Sequence, residues 1–305
     1  MKANSSGRNG SGPSYDLSTR AMLSSVEVHA WTGRRMDKKA SQDVARKYDL
    51  GERTGRYYKW LLLKDETGVP PDELVAVHNA GNAARVVHYE HTLPWADDGA
   101  RILPVSNFLP WASAVREKQF AFDDAVKVFV EAYPGLKQHT EEIMTHYKRG
   151  LFRADDYPDA GDLARRFSMR IKHFPLPSAN DFRVDISAPQ AEAIRQQIER
   201  DLQVTVHDAT ADLFKRLGSI AERVAKLSNP KGSVRDSLAD DVDDMCKLVA
   251  RLNLTGNPTL EEFRLRVEKE LAFDPGTVRR MRGVRNSLAS RAEKIYDDLA
   301  GFVGE

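Results

Sequence analysis

Residues 187–227 read "SAPQAEAIRQQIERDLQVTVHDATADLFKRLGSIAERVAKL". Ser187 is placed to cap a helix, and Pro189 falls in the first turn, where a missing N–H is tolerated. Ile194, Ile198 and Leu202, then Leu213, Leu217, Ile220, Val224 and Leu227, recur at helical spacing. They mark one apolar stripe over about forty residues. The run "SNPKGS" ends it. A second helix follows on Leu238, Val242, Met245, Val249 and Leu252, up to "RLNLTGNP". Thr259 is placed to cap a third, "TLEEFRLRVEKEL". Pro275 precedes a last helix with Met281, Val284, Leu288, Ile295, Leu299 and Phe302. Helices this long on short linkers pair antiparallel, so residues 187–305 are expected to form a helical bundle or a coiled-coil hairpin.

Upstream the signals are shorter. "MKANSSGRNGSGPSY" is polar and rich in Gly and Ser, and residues 1–15 are expected to be a disordered tail without a signal peptide. "YDLSTRAML" opens an expected first helix, capped by Asp16 or Ser18, with Leu17, Met22, Val26 and Ala30 on one side. "DKKASQDVARKYDLGERTGRYYKWLLLKDETG" is expected to give one or two short helices broken at Gly51 and Gly55. A helix after Pro70-Pro71 ends by Pro94, and "DDGARILPVSNFLPW" is expected to be a loop. A long helix over roughly 107 to 147 follows from Val115, Phe122, Val126, Phe129, Val130 and Tyr133, with a kink or break at Pro134-Gly135. Phe167, Met169, Ile171 and His173 then alternate with polar residues, and Phe182, Val184 and Ile186 alternate again across "PLPSAN". That is the one β signal, an expected hairpin over 166–186. The fold class is therefore mainly α: a helical bundle or long helical hairpin with one small antiparallel β-hairpin. The N-terminal helical region is taken as 16–165.

Composition limits the function. The chain has 305 residues, 41% hydrophobic and 30% charged, with a net charge of +1, so it suits a soluble globular protein without an overall basic excess. A single cysteine, Cys246, excludes a disulfide framework within one chain and a cysteine-based zinc site. No apolar run approaches the roughly 20 residues that a membrane helix needs.

The mechanistic motifs of enzymes are missing. There is no GxxxxGK[ST], no GxGxxG after a strand, no HExxH and no GxSxG. His88 and His91 lie three apart in "VVHYEHTLPW" and share a helix face, which could grip a metal, but no third ligand is near in sequence. Two surface histidines packing near Trp95 satisfy the same pattern. Paired carboxylates such as Asp97-Asp98, Asp155-Asp156 and Asp240-Asp241 carry nothing that sorts them into acid and base. No catalytic residue, metal site or cofactor is assigned.

Charge distribution says more. Lys and Arg outnumber Asp and Glu from His29 to Lys64, interleaved with Trp31, Tyr48, Tyr57, Tyr58 and Trp60. The last helix carries Arg279, Arg280, Arg282, Arg285, Arg291 and Lys294, and "RDSLADDVDDM" holds the compensating acid. Basic segments neutralise phosphates and release counterions, and exposed aromatics stack bases. Arg34, Arg35, Lys38, Lys39, Arg56, Tyr58, Lys59, Arg279, Arg280 and Arg282 are the candidate nucleic-acid contacts. The competing reading pairs these cations with the acidic segment. As a helix, "GERTGRYYKWLLLK" (51–64) puts Tyr57, Trp60 and Leu61 on one packed side and leaves Tyr58 as the residue to display.

The runs "WTGRRMDKKAS", "HTLPWADDGARILP", "DYPDAGDLARRFSM", "NDFRVDIS" and "RLNLTGNP" resemble a family of tailed-bacteriophage and prophage proteins with no assigned activity. The resemblance spans roughly residue 20 to the C-terminus. It implies a viral protein made in the bacterial host cytoplasm, and a non-enzymatic one. It fits DNA metabolism, an adaptor to another phage protein, or assembly. The expected function is binding of single-stranded or structured nucleic acid in phage DNA metabolism. The alternative is a helical scaffold or adaptor that contacts protein, including copies of itself.

Overall fold

The computed structural model describes residues 17–50, 55–95, 99–146, 152–177, 188–229 and 234–302. Most of these residues are helical, with a small antiparallel β component. The elements run β1 (Ala21–His29), β2 (Arg34–Met36), α1 (Lys38–Lys47), β3 (Tyr58–Trp60), α2 (Asp72–Glu90), β4 (Leu93–Pro94) and β5 (Arg101–Pro104). Then come α3 (Phe108–His146), α4 (Ala160–Ala164), β6 (Ser168–Pro175), α5 (Ala188–Ala225), α6 (Ser237–Leu252), α7 (Pro258–Glu270), α8 (Pro275–Arg280) and α9 (Arg282–Ala300). One sheet has the order β4-β5-β1-β6, and β2 and β3 form a separate two-stranded ribbon. Two compact units interleave along the sequence: Met1–Ser24 with His91–Leu109 and His173–Glu305, and Ser25–Glu90 with Pro110–Lys172.

In the first of these units, α5 packs on α9, α6 and α7. The stripe of residues 187–227 is buried in its second half, through Leu213, Leu217, Ile220 and Val224, while Ile194, Ile198 and Leu202 are only partly covered. α6 buries Leu238, Val242, Cys246, Val249 and Leu252, one face of a helix whose other face carries Asp240, Asp243 and Asp244. Asn257 caps α7 through the Leu260 amide at 3.0 Å, and Asp274 caps α8 through Thr277 at 2.6 Å. β5 and the start of β1 add to this unit, in the register Ala21↔Pro104 and Leu23↔Ile102. Fully buried Asn107 donates to the His91 carbonyl at 2.7 Å and accepts from Arg251 Nε at 2.8 Å. Arg216 reaches the Thr92 carbonyl at 2.8 Å. These bonds tie Thr92 to α5 and His91, through Asn107, to α6.

The second unit is built on α2 and α3. Trp111, Val115, Phe122, Phe129, Tyr133, Thr140, Ile143 and Met144 lie along one face of α3 and are buried. Val28 of β1 meets α2 at Gly81, where a Cβ would come within 2.9 Å of the valine Cγ1. Lys172 of β6 pairs with Glu27 of β1 at 2.6 Å.

Several sequence expectations are corrected. A single 3-10 turn over Leu17–Thr19 leads into strand β1, where one helix from Leu17 to Ala30 was expected. Val26 and Val28 alternate with Glu27 and His29, a period of two that the irregular 17, 22, 26, 30 spacing masked. The expected loop over 97–111 contains β5, with Ile102 and Leu103 fully buried, and α3 then starts at Phe108, close to the expected 107. Pro134 lies inside α3, which continues through it as one helix of 39 residues. A proline in a helix interior costs about 3 kcal/mol. Here Phe129 and Tyr133 before it, and Thr140, Ile143 and Met144 after it, are held in core contacts that offset that cost. β6 forms where the alternation placed a strand, but its neighbour in the sheet is β1. The expected partner around Phe182, Val184 and Ile186, the Ser187 and Asp16 caps and the 1–15 tail lie outside the described residues.

Candidate nucleic-acid interface

The largest correction falls on residues 51–64, which are not a helix where described. Tyr58–Trp60 is β3, paired antiparallel with β2 in the register Arg34↔Trp60, Arg35↔Lys59, Met36↔Tyr58. The ribbon continues past both strand ends: Leu61 N–H donates to the Gly33 carbonyl at 2.7 Å, and Asp37 N–H to the Tyr57 carbonyl at 2.9 Å. Leu61, Leu62 and Leu63 follow, and all three are buried. Three consecutive buried leucines cannot share one helix face, because each step turns about 100°. Leu63 N–H instead donates to Thr140 Oγ1 at 2.9 Å, which satisfies a buried amide as the chain bends under α3.

Gly33 makes the ribbon possible. Its φ is +65°, and a Cβ there would sit 2.5 Å from Leu74 Cδ2. α1 lies between the two strands in sequence. Asp37 caps α1 by accepting from the Ala40 amide at 3.0 Å, and Tyr57 N–H donates to Ser41 Oγ at 2.9 Å. α1 has no buried residue.

The two faces of the ribbon differ in charge. On one, Arg35 and Lys59 both reach Asp156, at 2.8 and 3.1 Å, and that carboxylate is 6% exposed. The two cations share that one carboxylate, which offsets half of their charge. On the other, the Arg34 guanidinium lies 4.0 Å above the Trp60 ring centroid, with Met36 and Tyr58 on the same side by register. Tyr58 is 52% exposed, and Trp60 is half-buried against the unit's core. Tyr57, expected to pack, is exposed, since the strand turns it away from the leucines. Lys38 and Lys39 in the first turn of α1, and Arg56 ahead of β3, are exposed. Of the seven candidates here, the fold gathers all into one ribbon-and-helix excursion and occupies two, Arg35 and Lys59, with an ion pair. Asp156 was not foreseeable from sequence, because it arrives from nearly a hundred residues beyond Lys59, at the end of a 3-10 turn over Ala154–Asp156.

Arg279, Arg280 and Arg282 lie in the other compact unit, around the α8–α9 junction. Arg279 donates through Nε and Nη2 to the Val234 carbonyl at 3.0 and 2.8 Å, and through Nη2 to Asp236 at 2.6 Å. The acidic segment therefore does take up part of this basic run. Arg280 and Arg282 are exposed. Arg285, from the same run, belongs with them, because it bonds the Leu227 and Asn229 carbonyls.

The histidine pair is divided. His88 is buried at the end of α2, where its Nδ1 accepts from Trp111 Nε1–H at 3.1 Å and its ring lies beside those of Trp111 and Tyr89. His91 lies beyond the helix. Among the described residues no group of three His, Cys, Asp or Glu side chains is placed to hold a metal ion. No described helix is long and apolar enough to cross a membrane. Comparison with protein-family models, curated proteins and solved structures found no match.

Proposed function

We propose that this is a non-enzymatic phage or prophage protein of the bacterial cytoplasm that binds single-stranded or structured nucleic acid in phage DNA metabolism. The observation that carries the binding is the outer face of the β2–β3 ribbon: Arg34 stacked on Trp60, with half-exposed Tyr58 beside them. A base stacks on an exposed ring or on a guanidinium plane, whatever its identity. Lys38, Lys39 and Arg56 are exposed nearby in sequence and supply charge for the backbone. The sequence resemblance supplies the phage setting. The test is fluorescence anisotropy with single-stranded and duplex oligonucleotides over a salt series. Saturable binding that weakens with salt supports the reading, and absence of binding at low salt ends it.

A second reading has one observation behind it. Val75, Val86 and Tyr89 are exposed and fall on one side of α2 by helical geometry. Such a strip suits protein contact, as in an adaptor or self-associating scaffold. Sedimentation at tens of micromolar tests it. A monomer that also fails to bind nucleic acid would remove both readings.

A further inference from the structure

The start of α9 holds a second feature, in the compact unit that does not contain the ribbon. Ser228, Arg279, Arg280, Arg282, Arg285 and Asn286 line a cleft of about 220 Å³. Four of the six are arginines. Two of them are fixed by the fold: Arg279 by the Val234 carbonyl and Asp236, Arg285 by the carbonyls of Leu227 and Asn229. Bonds to carbonyls orient a guanidinium without neutralising it. Arg279 Nη1 makes no hydrogen bond to a described residue. Arg280 and Arg282 make no hydrogen bond or ion pair within the described residues, although Arg280 is near enough to Asp274 to help hold that carboxyl below its usual range, behind the Thr277 hydrogen bonds. Among the described residues, Asp236 stands against Arg279 and Asp274 near Arg280.

The backbone adds to this. Met281 precedes α9 and caps it with no side-chain hydrogen bond. The first amides of a 19-residue helix are thus left to solvent or a ligand, at the positive end of its dipole. Gly283 sits in that first turn, and a Cβ there would meet nothing within 4 Å, so the approach is open.

We propose that this cleft binds a phosphate-monoester group. Arginine forks match phosphate oxygens in pairs, and an uncapped helix start donates to them. The size selects the ligand: 220 Å³ is below the roughly 300–1,000 Å³ of sites that enclose whole small molecules, so the phosphate enters and the rest of its carrier stays outside. A free nucleotide and the phosphorylated end of a nucleic acid both present this group. The proposal does not depend on the ribbon reading.

The test uses the full chain and isothermal titration with inorganic phosphate, pyrophosphate and AMP at low salt. One saturable site is expected, competed by sulfate and not by potassium chloride at matched ionic strength. The double variant Arg280→Ala/Arg282→Ala should bind at least about tenfold more weakly with an unchanged unfolding midpoint, because neither side chain is held in the fold. Arg291→Ala, an exposed arginine further along α9, should bind as wild type, and so should Tyr58→Ala on the ribbon. A 5′-phosphorylated oligonucleotide preferred over its 5′-hydroxyl twin, with the preference lost in the double variant, supports the site with a nucleic-acid end as carrier. AMP binding without that preference supports it with a free nucleotide as carrier. No saturable binding of any probe at millimolar concentration overturns the proposal, as does an equal loss in Arg291→Ala.

Discussion

Arg34 and Trp60 face each other directly across the β2–β3 ribbon, the guanidinium 4.0 Å above the ring centroid. The pairing is a product of register. A slip of one residue would put Lys59 opposite Arg34 and turn the tryptophan to the Asp156 side. The stack also fixes where the arginine sits over the ring.

Tyr58 and Trp60 should separate in experiment. Tyr58→Ala is expected to weaken single-strand binding by about 1–3 kcal/mol with little change in unfolding midpoint, since half of its surface is already in water. Trp60→Ala should lower stability by about 2 kcal/mol, less than a fully buried aromatic, because the ring is only partly covered by core. Anisotropy titration and urea unfolding read the two effects. Equal loss of stability in both would show that the face is packing surface alone.

Asp156 is the counter-charge that the two cations of the ribbon's inner face share. Asp156→Asn removes the carboxylate that Arg35 and the largely covered Lys59 share. Stability should fall by about 2 kcal/mol, because a partly buried cation loses its partner. If the ribbon meets nucleic acid, affinity at low salt should rise and the salt dependence steepen by about 0.7 in log–log slope for each added phosphate contact.

Replacing Lys38, Lys39 and Arg56 together by glutamine should flatten the salt dependence by up to about 2 in slope, at about 0.7 per single-strand phosphate. All three are exposed, so circular dichroism should be unchanged. A slope identical to wild type would place the backbone contacts elsewhere.

Stability should decline as pH falls below neutral. Burial, then the nearby Arg34, holds His78 below its ordinary value of 6.5, with Arg85 adding to the shift against the Trp31 carbonyl. Burial, then Arg251 and Arg216, does the same for His91. The unfolded chain therefore binds these protons more readily than the folded one. Stability is full above about 6.5 and is lost as pH drops from there through the lowered folded-state values. Urea midpoints from pH 8 to 5 should show the decline, and His78→Gln and His91→Gln should each flatten it. A midpoint independent of pH down to 5 would contradict the burial of both rings.

Cys246 should be inert in the folded protein. Burial pushes its thiol from 9.0 up to about 11, and Sγ lies against the Arg264 carbonyl. Two units mean about a hundredfold less thiolate at pH 8 than in the unfolded chain, before access is counted. Labelling by a thiol reagent should track unfolding. Rapid labelling under native conditions would show that α6 opens readily.

The long helices were legible because each is one repeating pattern over many turns. Leu213 to Val224 on α5, Leu238 to Leu252 on α6, and Trp111 to Met144 on α3 carry a 3.6-residue period that chance spacing does not sustain. The basic and aromatic character of residues 29–64 and 279–285 was equally readable, since composition needs no fold. What the sequence could not supply was β1, β3 and β5. Each is nine residues or fewer, and three to nine positions cannot separate a strand from a short helix when the partner strand is distant. β3 exists because β2, some two dozen residues earlier, supplies its hydrogen bonds. Its outward face is defined because Leu61–Leu63 and Gly33 pin the ribbon to the α2–α3 core. The tertiary structure alone decided which cations share a carboxylate and which are only oriented, placing Asp156 under Arg35 and Lys59 and carbonyls around Arg279 and Arg285, while Arg34, Arg280 and Arg282 stay exposed. Charge pairing is a matter of distance in space, and separation along the chain does not encode it.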